Sequence, residues 1–420
     1  MSHSENKLTF FRQSGWMVIA ATSSGVFMLG VHFYNQWMPK GVYGAFGTML
    51  VVMTWLQCPV IGVQQTMAQT GAAALTEADR RRLAYTARRL LLWSFLLWLA
   101  LAAAAFLCLK PFMDLFHVRD TRVVGLLLVL ALVNFWTPIC QGLLQGAQNF
   151  LWLGWSSMLS GVGRFAVVGI FVVGLKSSTA GIMMGILAGA LVPFAISAWQ
   201  SRSVWLGAEE RAPLGPWFQN LIPLTLCLAA SQIIFITDLA VVSSLFPDLS
   251  DPYTALATLG RALVTFTAPV AAVMFPKIVS SAARSEKSNA FMLAFGITSL
   301  LAGCAAIGLS LIGLTVVGQQ IFQVVFRGKA ELVSLLPLYA WCILPQAIGN
   351  VLLGDLLARR RFGIALPLLV LAAVYLASLA SFNDSIPTLI KTLGVASLAY
   401  LLITAGFAWW DLQKRRLDRS

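Results

Sequence analysis

Residues 253–273 have the sequence YTALATLGRALVTFTAPVAAV, a run of 21 residues in which Arg261 is the single charged member. An α-helix of about 20 apolar residues crosses the roughly 30 Å hydrocarbon core of a bilayer. Apolar runs of this length recur from one end of the chain to the other, separated by short polar breaks. The sequence therefore predicts an all-α integral membrane protein with no soluble domain.

The composition supports this prediction. Of 420 residues, 59% are hydrophobic and 11% are charged, which leaves too few polar residues to coat a soluble globule. The runs are apolar on every face, whereas the strands of a membrane β-barrel alternate. We predict twelve transmembrane helices, at residues 14–34, 42–70, 88–109, 121–145, 153–175, 178–200, 217–245, 253–283, 290–316, 333–357, 362–381 and 387–410.

The two halves of the chain repeat each other. Residues 43–63, YGAFGTMLVVMTWLQCPVIGV, match residues 253–273 at six of 21 positions, where about two are expected from this composition. The identical pairs are Tyr43 and Tyr253, Ala45 and Ala255, Thr48 and Thr258, Pro59 and Pro269, Val60 and Val270, and Val63 and Val273. We predict two parallel six-helix bundles, residues 1–209 and 210–420, as in transporters that rock two bundles about a central site. A duplicated scaffold without transport is the alternative.

Positive charge predicts the orientation. With twelve spans both termini lie on one side, and nineteen of the 29 Lys and Arg residues fall on that side. Arg164 and Arg261 lie inside spans, and the other side carries eight residues. These eight are Lys40, Lys110, Arg119, Arg122, Lys176, Arg327, Lys329 and Lys391. The positive-inside rule places both termini in the cytoplasm.

The net charge of +13 is explained by this topology and by anionic lipid, so we predict no nucleic-acid partner. Residues 76–90 begin with acidic and end with basic side chains. This pattern predicts a helix that lies on the inner leaflet before the third span.

No enzyme signature is present. His3, His32 and His117 are too scattered for a metal site, and no nucleotide-binding or nucleophile motif occurs. The six cysteines lie singly in separate spans, so we predict free thiols. We expect a protein that is not an enzyme and that has no cofactor or metal.

Several motifs resemble those of the multidrug/oligosaccharidyl-lipid/polysaccharide (MOP) exporter superfamily. They are Gly41-Val-Tyr-Gly44 at the start of the second span, Phe275-Pro-Lys-Ile-Val279 at the end of the eighth, and Asp238, Tyr253 and Arg261 between the seventh and eighth. Twelve spans are similar either to the polysaccharide, or O-antigen-type, branch of lipid-linked oligosaccharide flippases or to the drug exporters, and the cationic Arg261 resembles the flippases more than the drug exporters. The first two spans carry no Arg within the core. In this respect the sequence departs from the strongly cationic cavity that the resemblance would imply.

The resemblance implies a multi-pass protein of the bacterial cytoplasmic (inner) membrane. Such a protein flips an undecaprenyl-diphosphate-linked oligosaccharide from the cytoplasmic to the outer leaflet by alternating access, for cell-surface polysaccharide biosynthesis. A proton or sodium ion is the candidate coupling ion, and other membrane proteins of polysaccharide assembly are candidate partners. Two alternatives stay open: a MATE-like cation-coupled exporter of small molecules or drugs, and a non-transporting subunit of a polysaccharide synthesis complex.

Three charged residues lie at bilayer depth, where each costs at least about 2.5–3.5 kcal/mol unless it faces protein or water. We assign Arg164 and Arg261 to substrate binding, because a guanidinium binds a diphosphate bidentately and keeps its charge. Ser157 and Ser160 share a helical stripe with Arg164 and could line a polar cavity. Capping of Arg164 by backbone carbonyls of a neighbouring helix is the alternative.

Asp238 and Arg261 lie 11 to 12 residues on either side of the loop centre near Leu249 and Ser250, so a hairpin sets them at similar depth. We predict that they meet, and that a bound lipid diphosphate competes for Arg261. Asp238 then takes up a proton or sodium ion, which makes it the candidate ion-coupling residue. A permanent structural ion pair is the alternative.

Pro59 and Pro269 occupy equivalent positions in the two repeats, deep inside predicted helices. A proline removes a backbone donor and clashes with the preceding turn, which kinks a helix or gives it a hinge. We predict a hinge at each position, and a static kink is the alternative.

The charge asymmetry makes a direct prediction about the loop at residues 201–216. Cysteines introduced there should be inaccessible to an impermeant thiol reagent in intact cells and become accessible once the membrane is opened. Labelling in intact cells would reverse the predicted topology and the predicted direction of transport.

Overall fold

The computed structural model describes residues 3–38, 42–74, 76–115, 121–147, 149–176, 179–283 and 290–417. Fifteen α-helices run through these residues, and no strand occurs among them. The helices are α1 (His3–Gly30), α2 (Val42–Gln57), α3 (Val63–Ala73), α4 (Glu77–Leu107), α5 (Leu109–Leu115), α6 (Thr121–Gly146), α7 (Phe150–Gly169), α8 (Thr179–Trp205), α9 (Gly215–Leu245), α10 (Ser250–Ala283), α11 (Ala290–Leu314), α12 (Val316–Val325), α13 (Leu336–Ala358), α14 (Ala365–Ser381) and α15 (Ile386–Leu417). The prediction of an all-α fold is confirmed.

Ten helical segments in the described part of the chain are long and apolar enough to cross a membrane, and each corresponds to one predicted span. The two remaining predicted spans, 14–34 and 253–283, fall on α1 and α10, whose side chains are described only in part. The multi-pass character is therefore confirmed, and the number of twelve stays a prediction. Gly41 and the side chains of residues 275–279 lie outside the described residues.

The chain divides into two compact units, Met1–Thr225 and Leu226–Ser420. The division falls inside α9, sixteen residues after the boundary that the sequence repeat predicts. The reason is that the first turns of α9 pack in the apolar core of the first unit, where Trp217 and Leu221 lie with Met67, Phe135 and Leu143.

Glycines bring the helices of the first unit close together. On α7, a Cβ at Gly161 would lie 2.6 Å from the carbonyl oxygen of Ser24 on α1. On α6, a Cβ at Gly142 would lie 2.7 Å from the carbonyl oxygen of Gln64 on α3. Helices in lipid gain no hydrophobic driving force by associating, so close backbone approach and van der Waals packing hold them together.

Glycines also allow close packing around α13 in the second unit. Gly260 of α10 packs against the ring of Tyr339, and Gly349 of α13 packs against the ring of Tyr400 on α15, where a Cβ on the glycine would lie 2.7 Å from the ring. Both tyrosines are fully buried. Small residues on one helix thus make room for a phenol on the next, and the phenol hydroxyls are carried into the interior of the unit.

The basic segment at residues 76–90 is not a separate surface helix. Thr76 and Asp79 form a capping box that starts α4, and the helix continues without a break to Leu107. Arg88 donates to the carbonyl oxygens of Trp205 and Gly207. At least part of the predicted lipid-facing charge therefore binds the protein itself.

Gly161 allows a test of the helix packing. Gly161→Ala should lower the stability of the protein by about 1–3 kcal/mol, because the new methyl group meets the backbone of Ser24. Thermal unfolding in detergent measures the loss. Gly163→Ala is the matched control, since the nearest atom to its new methyl group is 3.7 Å away. Equal stability of the two variants would contradict the proposed packing role.

Candidate functional site

Asp238 and Arg261 form an ion pair in the interior of the second unit. The side chain of Asp238 on α9 is completely buried, and its Oδ1 accepts from the Arg261 guanidinium on α10. Its Oδ2 accepts from the hydroxyl of Tyr253 at 2.6 Å and from that of Tyr339 at 3.2 Å. The pairing predicted from the hairpin is therefore present, and the carboxylate has three donors from two further helices.

Arg261 makes several further contacts within the protein. Its Nε donates to the carbonyl oxygen of Phe235 at 2.9 Å, and its guanidinium carbon lies 5.6 Å from the Phe235 ring centre. The ring centre of Tyr339 is 6.0 Å away. An arginine with a carboxylate, a carbonyl and two aromatic faces is stabilised within the protein. A bound anion would have to compete with all of these contacts.

Tyrosines around this pair were not predicted as a group. Tyr253 was noted only as a repeat and family motif, and Tyr339 and Tyr375 were not singled out. Tyr375 on α14 is buried, and its hydroxyl has no hydrogen-bond partner among the described residues. Their common signal in the sequence is a tyrosine inside an apolar span, since a buried phenol usually takes a hydrogen-bond partner, as Tyr253 and Tyr339 do.

Arg164 on α7 differs from Arg261. Its Nε is buried and has no hydrogen-bond partner, and its guanidinium makes no ion pair within the described part of the chain. The residue as a whole is half-buried, and its terminal nitrogens are not among the buried atoms that lack a partner, so that end of the guanidinium is partly accessible. Neither a carboxylate nor a capping carbonyl of the described residues neutralises it.

Close packing fixes the backbone at Arg164. A Cβ at Gly189 of α8 would lie 2.7 Å from the Arg164 Cβ and 2.8 Å from its backbone nitrogen. His32 lies within electrostatic range of the guanidinium and shares a 2.8 Å hydrogen bond with the Tyr43 hydroxyl. The hydroxyl of Ser157 donates to the Leu153 carbonyl of its own helix and is thus engaged along α7.

The two proline positions differ in local structure. A 3₁₀ turn, Cys58–Val60, separates α2 from α3 at Pro59. Helix α10 runs through position 269 without a break, and the side chain of Pro269 lies outside the described residues. The assignment of both prolines as hinges stays a prediction.

Several amide side chains inside the spans bond to other protein groups. Gln64 donates to Gln145, Gln141 to Ser156, and Asn134 to the Leu130 carbonyl. In the described residues no group of His, Cys, Asp or Glu could hold a metal ion, and the six cysteines are free.

Taken together, the described part of the chain has ten helices long and apolar enough to cross a membrane, divided between two compact units and carrying buried charged side chains, which defines a polytopic membrane protein. An outward-facing multidrug resistance MATE family transporter of the MOP superfamily is similar over 98% of this chain and 96% of its own, with 12% identity and a TM-score of 0.72. An inward-facing MATE transporter is similar over 96% of both chains, with 12% identity and a TM-score of 0.70.

A third similar structure is a MOP superfamily transporter from Pyrococcus furiosus, with 12% identity, a TM-score of 0.68, and coverage of 98% of this chain and 96% of that one. No curated protein matches by sequence. The family model for polysaccharide biosynthesis proteins matches residues 14–282. The chain belongs to this polysaccharide biosynthesis protein family, within the MOP exporter superfamily.

Proposed function

We propose that this protein flips an undecaprenyl-diphosphate-linked oligosaccharide from the cytoplasmic to the outer leaflet by alternating access. Membership of a polysaccharide biosynthesis family supports a glycan as the cargo, and the fold supports transport rather than catalysis. A glycan built on a polyprenyl diphosphate has an apolar tail, an anionic linker and a polar head. A binding site for it requires cationic groups at bilayer depth.

The open guanidinium of Arg164 is the observation that carries this proposal. A buried Nε without a partner is costly in a low-dielectric interior, and a phosphate oxygen supplies the missing acceptor together with a compensating charge. Arg261 has its own carboxylate and carbonyl, whereas Arg164 has neither among the described residues. We therefore rank Arg164 first as the ligand of the diphosphate and Arg261 second.

The distribution of acidic residues supports an anionic rather than a cationic cargo. Among the carboxylates of the described spans Asp238 lies farthest from a span end, and Arg261 neutralises it. A drug exporter for organic cations would be expected to present an open carboxylate. The related Pyrococcus furiosus transporter is described as having a binding pocket of reverse polarity, which suggests a different function for that protein. By analogy, pocket polarity can separate members of one fold by cargo.

Ion coupling is proposed at Asp238. If a diphosphate draws Arg261 away, the carboxylate keeps the hydroxyls of Tyr253 and Tyr339 as neutral partners but loses its compensating charge. A proton or a sodium ion then replaces the guanidinium, and the phenol oxygens can contribute to the binding of either. The Arg261 guanidinium and the proton or sodium ion exclude each other at Asp238, which links cargo binding to ion binding.

The proposed setting is the bacterial cytoplasmic membrane, with both termini inside. Anionic lipids and other membrane proteins of polysaccharide assembly are the proposed partners. Loss of the protein should leave the diphosphate-linked oligosaccharide on the inner leaflet. A normal lipid pool combined with altered drug tolerance would favour the exporter instead.

Arg164→Gln should reduce the flipping of an undecaprenyl-diphosphate-linked oligosaccharide in proteoliposomes by at least about tenfold, which corresponds to about 1.4 kcal/mol of lost charge-assisted binding. The flipping rate of Arg164→Lys should lie between those of the unmodified protein and Arg164→Gln, because lysine keeps the charge but lacks the planar guanidinium. Arg202→Gln is the control, since this guanidinium stacks 3.9 Å from the Trp199 ring at the end of α8. Flipping at the normal rate by Arg164→Gln would contradict the assignment.

Asp238→Asn should abolish the dependence of flipping on a proton or sodium gradient, because the amide cannot exchange a guanidinium for a cation. Flipping driven by the lipid gradient alone should continue. The double variant Asp238→Arg with Arg261→Asp restores the ion pair. It does not restore the exchange in which a proton or sodium ion replaces the guanidinium at position 238. Full coupled transport by the exchanged pair would show that the pair is only structural.

A further inference from the structure

The amide of Asn350 on α13 is held at its oxygen by two hydroxyl groups. The hydroxyl of Ser231 on α9 donates to Asn350 Oδ1 at 3.1 Å, and the hydroxyl of Tyr400 on α15 donates to the same oxygen at 2.8 Å. The structure places the oxygen of the planar amide toward these two hydroxyls and its nitrogen on the other side. The side chain is thereby oriented by two neighbouring helices.

The nitrogen of this amide points away from both donors. Asn350 Nδ2 has no hydrogen-bond partner among the described residues, yet it is not one of the buried polar atoms that lack a partner. Asn350 itself is half-buried. The amino group consequently reaches accessible space at the level of a membrane span, with both of its N–H donors available.

The groups behind Asn350 are rigidly placed. Tyr400 is fully buried and packs on Gly349, which leaves no space for a side chain between the phenol and α13. Gln346, one turn before Asn350, donates through Nε2 to the Ser231 carbonyl at 2.9 Å. Ser231 is thus bound to α13 through its hydroxyl and through its backbone. A side chain supported in this way is pre-organised for a ligand.

The donor set indicates the class of ligand. A neutral amide donor in a membrane interior suits a neutral acceptor such as a sugar hydroxyl or an acetamido carbonyl, because charge-assisted binding of a phosphate is better supplied by a guanidinium. In addition, Gln346 Oε1 is a buried acceptor without a partner among the described residues. A hydroxyl group can donate as well as accept, whereas an ionised diphosphate only accepts.

We propose that Asn350 binds the glycan portion of the transported lipid through its Nδ2 group, with Ser231 and Tyr400 as positioning residues. This inference rests on the proposed function, and it adds a contact for the sugar to the contact for the diphosphate.

Binding of two lipids to the purified full-length protein tests the proposal. The probes are undecaprenyl diphosphate alone and undecaprenyl diphosphate carrying an oligosaccharide, with affinities measured by native mass spectrometry in detergent. Asn350→Leu, which keeps the branch at Cγ and removes both polar atoms, should weaken binding of the glycosylated lipid by about tenfold and leave binding of the bare lipid unchanged. Arg164→Gln should weaken both.

Tyr400→Phe removes one of the two donors that orient the amide and should give a smaller loss, also restricted to the glycosylated lipid. Asn134→Leu is the matched control, because the amide nitrogen of Asn134 already donates to the Leu130 carbonyl. Melting temperatures near that of the unmodified protein show that each variant folds.

The outcomes separate the two proposals. Equal affinity of the unmodified protein and Asn350→Leu for the glycosylated lipid overturns the role of Asn350 and leaves the flippase proposal intact. Equal weakening of both lipids by Asn350→Leu also overturns a sugar contact. Failure of the unmodified protein to bind either lipid overturns both the proposed function and this inference.

Discussion

A charged group inside a membrane must meet an opposite charge, a polar partner or water, and this requirement organises the interior of the protein. The Asp238 carboxylate meets it with one guanidinium and two phenol hydroxyls, drawn from α10 and α13. Three helices of the second unit are thereby joined at one carboxylate. Removing one partner from such a group leaves an uncompensated charge, which is far more costly than removing an exposed ion pair.

Close helix packing makes these contacts possible. Gly260 allows the Tyr339 ring to reach the neighbourhood of Asp238, and Gly349 allows the Tyr400 ring to pack on α13 and reach Asn350. In both places a missing side chain on one helix admits a phenol from the next. Packing by small residues and hydrogen bonding by buried polar groups are therefore parts of one arrangement in the second unit.

The two intramembrane arginines differ in their partners within the protein. Arg261 is bound to its own carboxylate, carbonyl and aromatic neighbours, so its availability to a ligand depends on breaking an ion pair. Arg164 has no partner for its Nε among the residues that the structure describes, and it is partly accessible. In the proposed function, Arg261 becomes available by exchange of its partner, whereas Arg164 binds directly.

Much of this protein follows from its sequence because a membrane restricts what a chain can do. Apolar runs of spanning length determine helices, since every backbone polar group must be satisfied within its own segment, and the hairpin symmetry around Ser250 was enough to bring Asp238 and Arg261 together. The sequence could not tell that residues 76–90 continue into the third span, or that the first turns of α9 belong to the first unit, because both depend on packing partners far away in the chain.

Nor could the sequence rank the polar side chains. Asn350 and Asn134 are equivalent as letters, but only the tertiary structure decides that two hydroxyls from other helices hold the oxygen of Asn350 and leave its nitrogen available, while the nitrogen of Asn134 is bonded to its own helix. Hydrogen-bond donors are allotted by three-dimensional neighbours, and those neighbours are set by helix packing rather than by local pattern.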